Sequence, residues 1–187
     1  MIDFSGYSST DLIPHKTIAL VQINLAFGDA SDNVLTYTKD RSGEMLKFEA
    51  LVLEGEYAKR KIFGNWLVLG STEGQKQMAE RYLGVLKGIL ASARYLDPSD
   101  LSPDTLAKYK AEWRDFHNLR ALVEIGIEKG KDGYEDKNVV VRAITRDMPA
   151  WDNRPPIEQP NGGGGSTGGG TPPAPPTTPI PMLSWAD

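Results

Sequence analysis

The sequence predicts a mainly β domain with a helical insertion, an α+β fold, followed by an extended tail. Residues 17–69 contain β-rich segments separated by turn residues, and the period of the apolar residues changes from two to 3.6 beyond residue 72. Further β-rich segments follow from about residue 119, and Gly-rich and Pro-rich runs follow residue 155. The length of 187 residues is that of one domain, or of one domain with an appendage.

The first half of the domain predicts an antiparallel meander. Thr17–Leu25 alternates between two faces, as a strand does. Residues 33–38 and 44–54 flank a hairpin turn that ends in Gly43. A further strand is expected over 60–69.

Two helices are predicted after this meander. Thr72 and Gln75 have capping-box spacing at the start of a long helix that runs to about Tyr95. Ser102 and Pro103 predict the start of a second helix. The apolar stripe expected on this second helix consists of Leu106, Tyr109, Trp113 and Phe116.

Two final strands are predicted at about 119–128 and 137–146. Three strands, a helical excursion and a β-hairpin make up the order of an OB-like five-stranded Greek-key barrel, with helices between strands 3 and 4. In this interpretation the hairpin at 33–54 elaborates the second strand. An open α+β sheet and another small barrel are the alternatives.

The C-terminal part of the chain differs from the rest in composition. From residue 155 onward there is no Lys or Arg, and Gly-rich and Pro-rich runs fill 161–176. We predict a domain at 1–154, a disordered linker at 155–179 and a partner-docking peptide at 180–187. A chance apolar end is the alternative for this peptide. Its candidate docking residues are Met182, Leu183, Trp185 and Asp187.

Composition and missing motifs exclude several kinds of chemistry. The absence of Cys excludes disulfides, thiolate metal sites and cysteine nucleophiles. The sequence contains no HExxH pair, nucleophile elbow or phosphate loop. We therefore expect no enzyme activity, metal or cofactor, and no membrane-spanning segment. The net charge is −4 for the chain and −2 without Glu158 and Asp187, so nucleic-acid binding requires a local surplus of cations.

Two segments combine cations with aromatic rings, one around residues 57–66 and the other at 129–137. Proteins that bind single strands pair a cationic groove with rings on which bases stack. The alternatives are core rings beside a solvated charge run, and a mobile polar loop. The candidate DNA-binding residues are Tyr57, Lys59, Arg60, Lys61, Phe63, Trp66, Lys129, Lys131, Tyr134 and Lys137.

Several segments resemble a family of small phage and prophage proteins. They are FEALVLEGEYAKRKIF at 48–63, LASAR at 90–94, Ser102-Pro103 and GYEDKN at 133–138. The resemblance spans about 14–150 and implies an OB-like single-stranded DNA binder from replication and recombination gene clusters, in the bacterial host cytoplasm. The order of domain, linker and end peptide is also similar to bacterial single-stranded DNA-binding proteins. Those usually carry several acids before a hydrophobic pair, whereas this chain has only Asp187.

We therefore predict non-enzymatic binding of single-stranded DNA in phage or prophage replication or recombination. The tail is expected to recruit replication or recombination proteins, and homo-oligomerisation is left open. The alternative is a protein–protein adaptor for a recombinase or annealing protein, without direct DNA binding.

Overall fold

Six strands pair into one antiparallel sheet, with a long helix packed against it. The computed structural model describes residues 12–30, 32–131, 133–151 and 157–160. The docking peptide predicted at 180–187, with Met182, Leu183, Trp185 and Asp187, lies outside these residues. The elements are β1 (Thr17–Leu25), β2 (Thr36–Tyr37), β3 (Gly43–Val52), β4 (Lys61–Gly70), α1 (Glu73–Arg94), α2 (Pro103–Ala107), β5 (Leu119–Glu128) and β6 (Lys137–Ala143), with 3-10 turns at Trp113–Phe116 and Pro149–Trp151.

The strands follow the spatial order β4-β3-β1-β5-β6, and the short β2 pairs with β3 on the edge opposite β4. The central strand β1 pairs with β3 through Val21–Leu25 and with β5 through Thr17–Ile23. Cα atoms of the two outermost strands, β4 and β6, approach within 8 Å of each other. The prediction of a mainly β domain with a helical insertion is confirmed, and α1 lies between β4 and β5 in the chain.

Alternate side chains of the strands point to one face of the sheet and form the core, as predicted for β1. Every second residue from Ala19 to Leu25 is buried, and β3 continues the same layer with Phe48, Ala50 and Val52. Helix α1 covers this layer and contacts β4, β5 and β6. The helix residues buried in the main core are Leu86, Ile89, Leu90 and Ala93.

A second, smaller cluster covers the opposite face of β5. Leu122, Ile144 and Trp151 form it, and Ile157 packs against it. Because β6 pairs with β5 only from Val123 onward, the backbone of Arg120 stays available at that edge. The Gln159 side chain accepts from the Arg120 N–H at 2.8 Å and donates to its carbonyl at 2.9 Å. Residues 157–160, within the predicted linker, therefore lie against the sheet.

Helix α1 begins and ends as the sequence predicts. The Thr72 hydroxyl accepts from the Gln75 N–H at 3.3 Å, and the Gln75 side chain accepts from the Thr72 N–H at 3.2 Å. This reciprocal pair satisfies two amides that have no partner within the helix. At the other end, Tyr95 takes a left-handed φ of 58°, which stops the helix. Among the described residues, no helix is both long and apolar enough to cross a membrane.

The second helix is much shorter than predicted. It contains only Pro103–Ala107, and Trp113 and Phe116 belong to a separate 3-10 turn. The Arg94 guanidinium donates to the carbonyls of Lys108 and Lys110 at 2.5 and 3.0 Å. These hydrogen bonds occupy carbonyls that a continuing helix would use internally. The predicted stripe is therefore divided between two elements.

The strand predicted at 33–38 is also shorter, with only Thr36–Tyr37 paired. The Asp32 carboxylate accepts from the N–H groups of Val34 and Leu35 at 2.9 and 3.0 Å. An Asp that binds the amides two and three residues ahead turns the chain and removes donors from a strand ladder. This is why residues 33–35 form a turn.

Candidate nucleic-acid interface

A cleft of about 470 Å³ opens where the outer strands β4 and β6 begin. Among the described residues that line it are four cations and one acid: Lys59, Arg60, Lys61, Lys137 and Asp136. The structure thus brings together cations from the two segments singled out in the sequence. Neither segment by itself contains all the cations of this surface.

Asn138 on β6 joins the N-terminal stretch to the wall of the cleft. Its side-chain oxygen accepts from the Ile13 N–H, and its amide nitrogen donates to the Ile13 carbonyl, both at 2.8 Å. Ile13 is buried and lines the cleft beside Asn138. Sequence reasoning missed this residue, although an Asn within a predicted strand is uncommon and was the available signal.

The loop before β4 is held by backbone hydrogen bonds. The Lys59 N–H donates to the Val52 carbonyl at 2.8 Å, and the Val52 N–H donates to the Arg60 carbonyl at 2.9 Å. Gly55 turns the chain with a φ of +80°, and Lys59 takes a left-handed φ of 70°. This conformation is unfavourable for a residue with a Cβ, so the flanking hydrogen bonds impose it. The position of Lys59 and Arg60 therefore depends on the hairpin.

Phe63 is an exposed aromatic ring at the rim of the cleft. It leaves 67% of its surface accessible and follows Lys61 on the outward face of β4. Phe63 also borders a smaller cavity of about 350 Å³, with Lys47 and Asn65 in its lining. The ring is therefore shared between the two cavities, which form one continuous surface on this side of the sheet.

Trp66 lies in the core, which corrects its inclusion among the candidate stacking rings. Only 6% of its surface is accessible. Its ring meets Phe48 edge-on at 4.5 Å between centroids and stacks on Tyr82 of α1 at 5.4 Å. Because Trp66 is an odd number of residues from Phe63 along β4, the two rings point to opposite faces. No face of the Trp66 ring is open to a base.

Tyr57 is half-buried and packs against the same core. Burial raises the pKa of its hydroxyl above the ordinary value, with a smaller contribution from the neighbouring Glu56 carboxylate. A ring held in this way offers less stacking surface than Phe63. Of the three aromatic residues proposed around residues 57–66, Phe63 is the most accessible.

The second predicted segment only partly joins the cleft. Asp136 accepts from Lys129 Nζ at 2.6 Å and from the Gly130 N–H at 3.0 Å, and these hydrogen bonds lower the pKa of its carboxyl. Lys131 and Tyr134 are exposed, Tyr134 with 82% of its surface accessible, but neither lines the cleft. Of the four residues predicted at 129–137, only Lys137 lines it.

Two cations of the cleft form ion pairs on the surface. Lys61 Nζ lies 3.0 Å from the Glu49 carboxylate, and Lys137 Nζ lies 3.1 Å from that of Glu128. Exposed pairs of this kind contribute only about 0–1 kcal/mol, so they exchange readily for another anion. Within the described part of the chain, Lys59 and Arg60 form no ion pair.

No protein-family model matches this chain, and no curated protein sequence matches it significantly. Across residues 12–30, 32–131, 133–151 and 157–160, no group of three or more His, Cys, Asp or Glu side chains could hold a metal ion. The surface around the cleft thus combines cations, one exposed ring and amide side chains. Such a surface can bind a polyanion that also carries flat apolar groups.

Proposed function

We propose that the chain binds single-stranded DNA through the cleft between β4 and β6, without catalysing a reaction on it. One observation carries this proposal: cations from two distant segments line one cleft that has Phe63 at its rim. In the proposed complex Lys59, Arg60 and Lys137 neutralise phosphates. Phe63 stacks on a base, an interaction that contributes about 1–3 kcal/mol in single-strand binders.

The sheet topology supports an OB-like barrel as the framework. After the meander of β1, β3 and β4 come helix α1, then β5 paired with β1, and then β6 near β4. A five-stranded Greek-key barrel of this type has the same order, and such folds bind oligonucleotides on one face and on the loops at its ends. The short strand β2 is an addition to this framework.

The tail and the biological setting complete the proposal. The resemblance of residues 48–63 to phage and prophage proteins points to a role in DNA replication or recombination. The segment 180–187 recruits a replication or recombination protein through its apolar residues. This recruitment is separate from the cleft and does not require its cations.

Fluorescence anisotropy of a labelled oligo-dT tests the proposal with the full chain across a salt series. Each neutralised phosphate lowers the logarithm of the affinity by about 0.7 per logarithmic unit of salt on a single strand, so three or four contacts give a slope of roughly −2 to −3. Absence of binding at low salt, or equal affinity for duplex DNA, would overturn the proposal.

A matched pair of charge reversals locates the binding surface. Arg60→Glu is expected to weaken oligo-dT binding at least about tenfold, because it replaces a phosphate contact with a repulsion. Lys39→Glu makes the same charge change in the turn at the opposite end of β3, so its effect should be small. Equal losses in both variants would mean that only overall charge matters.

If Arg60→Glu preserves function in cells while deletion of 180–187 abolishes it, the protein is an adaptor instead.

A further inference from the structure

A further cavity, larger than the cleft, runs along α1 on the side that faces residues 109–116. This groove has a volume of about 660 Å³. Its apolar wall includes Leu83, Leu86 and Leu90 on α1, with Trp113 and Phe116 opposite. Leu83 leaves 40% of its surface accessible, so part of this apolar wall is open to solvent.

The irregular residues that follow the short helix α2 form one side of the groove. Arg94 binds the carbonyls of Lys108 and Lys110 and holds the chain beside α1 without a helix there. Lys87, on the same side of α1, lies over the Tyr109 ring at 5.0 Å. The residues after α2 therefore line the groove opposite α1 and leave Leu83 partly exposed.

We propose that the segment 180–187 of this chain occupies the groove, with Met182, Leu183 and Trp185 against its apolar wall. The segment matches the groove in chemistry, because a cluster of large apolar side chains can replace water along the Leu residues. The charges of the lining are balanced, with Lys87 and Arg114 beside Asp32 and Glu112. Lys87 and Arg114 are the groove cations with which the Asp187 carboxylate would pair.

The point where the described chain ends supports this occupant. Gln159 donates to the carbonyl of Ala93 at 3.3 Å, so residues 157–160 lie at the C-terminal end of the helix that carries the groove. Leu86 is about 10 Å from Ala93 along the helix axis. About 20 residues, 161–179, lie between the described chain and the segment, and a Gly-rich coil of that length spans roughly 25 Å. The segment can therefore reach the groove of its own molecule.

Because the segment is tethered to the domain, weak contacts are sufficient to keep it in the groove. A short flexible linker produces an effective concentration on the order of 1 mM. If the segment binds the groove with a dissociation constant of about 0.1 mM, docked molecules would then outnumber undocked ones about tenfold. A partner protein that binds 180–187 must first displace it from the groove. This inference does not depend on whether the cleft binds DNA.

Photo-cross-linking in the full chain tests the inference. Trp185→p-benzoylphenylalanine places a photoreactive ring in the segment, and the chain is irradiated as an equal mixture of isotopically light and heavy protein. We expect cross-links from position 185 to Leu83, Leu86 or Trp113, each within one isotope form. Cross-links between light and heavy chains would mean that a second copy supplies the segment, which overturns the proposal. Cross-links elsewhere, or none, would also overturn it.

Variants of the groove provide the controls. Leu83→Glu is expected to lower the cross-link yield about tenfold, because it places a charge on the apolar wall. Met78→Glu makes a similar change at an exposed position of α1 outside the groove and should leave the yield unchanged. Arg114→Glu reverses an exposed charge in the lining and should lower the yield severalfold even if Leu83→Glu unfolds the protein. An unchanged yield in Arg114→Glu and in a folded Leu83→Glu would contradict the proposal.

Discussion

The groove along α1 is larger than the cleft at β4 and β6, and its lining is balanced in charge where that of the cleft is cationic. The cleft contains four cations on short hairpin elements whose backbones are hydrogen-bonded, whereas the groove consists mainly of apolar side chains between a helix and an irregular segment. Cations on strand ends and turns remain hydrated and exchange one anion for another. An uncovered helix stripe instead favours an apolar occupant. The two surfaces therefore suit different partners, and each can be changed separately.

The largest expected effect comes from Trp66, a core residue that lines neither region. Trp66→Ala should lower the free energy of unfolding by about 3–5 kcal/mol, because it leaves a cavity between Phe48 of β3 and Tyr82 of α1. Thermal or urea unfolding followed by circular dichroism measures the change. An effect below about 1 kcal/mol would contradict a core position for this ring.

Phe63→Ala should affect DNA binding and not stability, in contrast to Trp66→Ala on the same strand. Because the ring is largely exposed, its removal should change stability little while it weakens oligo-dT binding by about 1–3 kcal/mol, roughly 5-fold to 150-fold. Anisotropy titrations and thermal unfolding of the same samples distinguish the two effects. Tyr134→Ala removes an even more exposed ring that does not line the cleft, so it should have the smaller effect on DNA affinity.

Arg94→Ala should disturb the groove and leave the cleft unchanged. The substitution removes hydrogen bonds to the carbonyls of Lys108 and Lys110, and we expect a loss of about 1–2 kcal/mol in unfolding free energy. Unfolding by urea measures the loss. Lys76→Ala, on an exposed position of the same helix, is the matched control with a small effect. A large decrease of oligo-dT affinity in Arg94→Ala would show that the two regions are coupled.

The smallest expected effect is a gain of DNA affinity. Glu49→Gln releases Lys61 from its ion pair and removes an acid directly opposite Phe63 in the register of β3 and β4. We expect oligo-dT binding to tighten about twofold to fivefold, in line with the value of exposed ion pairs. Glu44→Gln makes the same change at the other end of β3. Equal gains in both variants would indicate a general charge effect.

Local signals in the sequence were sufficient for most elements. The bounds of α1 follow from the capping box at Thr72 and from the end of the apolar period, and both are short-range features. The second helix was predicted too long because the competing contact comes from Arg94, on another element. Side-chain competition between distant elements has no periodic signature in the sequence.

The sequence predicted the kinds of residue in the candidate site, but not which of those residues line the cleft. Consecutive cations beside Phe63 are visible in the sequence, and alternation places Phe63 and Trp66 on opposite faces. Which of the two faces α1 covers depends on where the helix packs. The same holds for Lys137, which joins Lys59 and Arg60 only because β6 lies near β4.

The sequence by itself determined the strands, the long helix, the absence of cysteine chemistry and the local surplus of cations at 59–61. These features depend on neighbouring residues, on composition and on the fixed periods of strand and helix. The tertiary structure alone decided that Trp66 is buried, that Asn138 holds Ile13, and that an apolar groove stays open along α1. Each of these depends on contacts between residues far apart in the chain, whose energies are set by packing and not by local propensity.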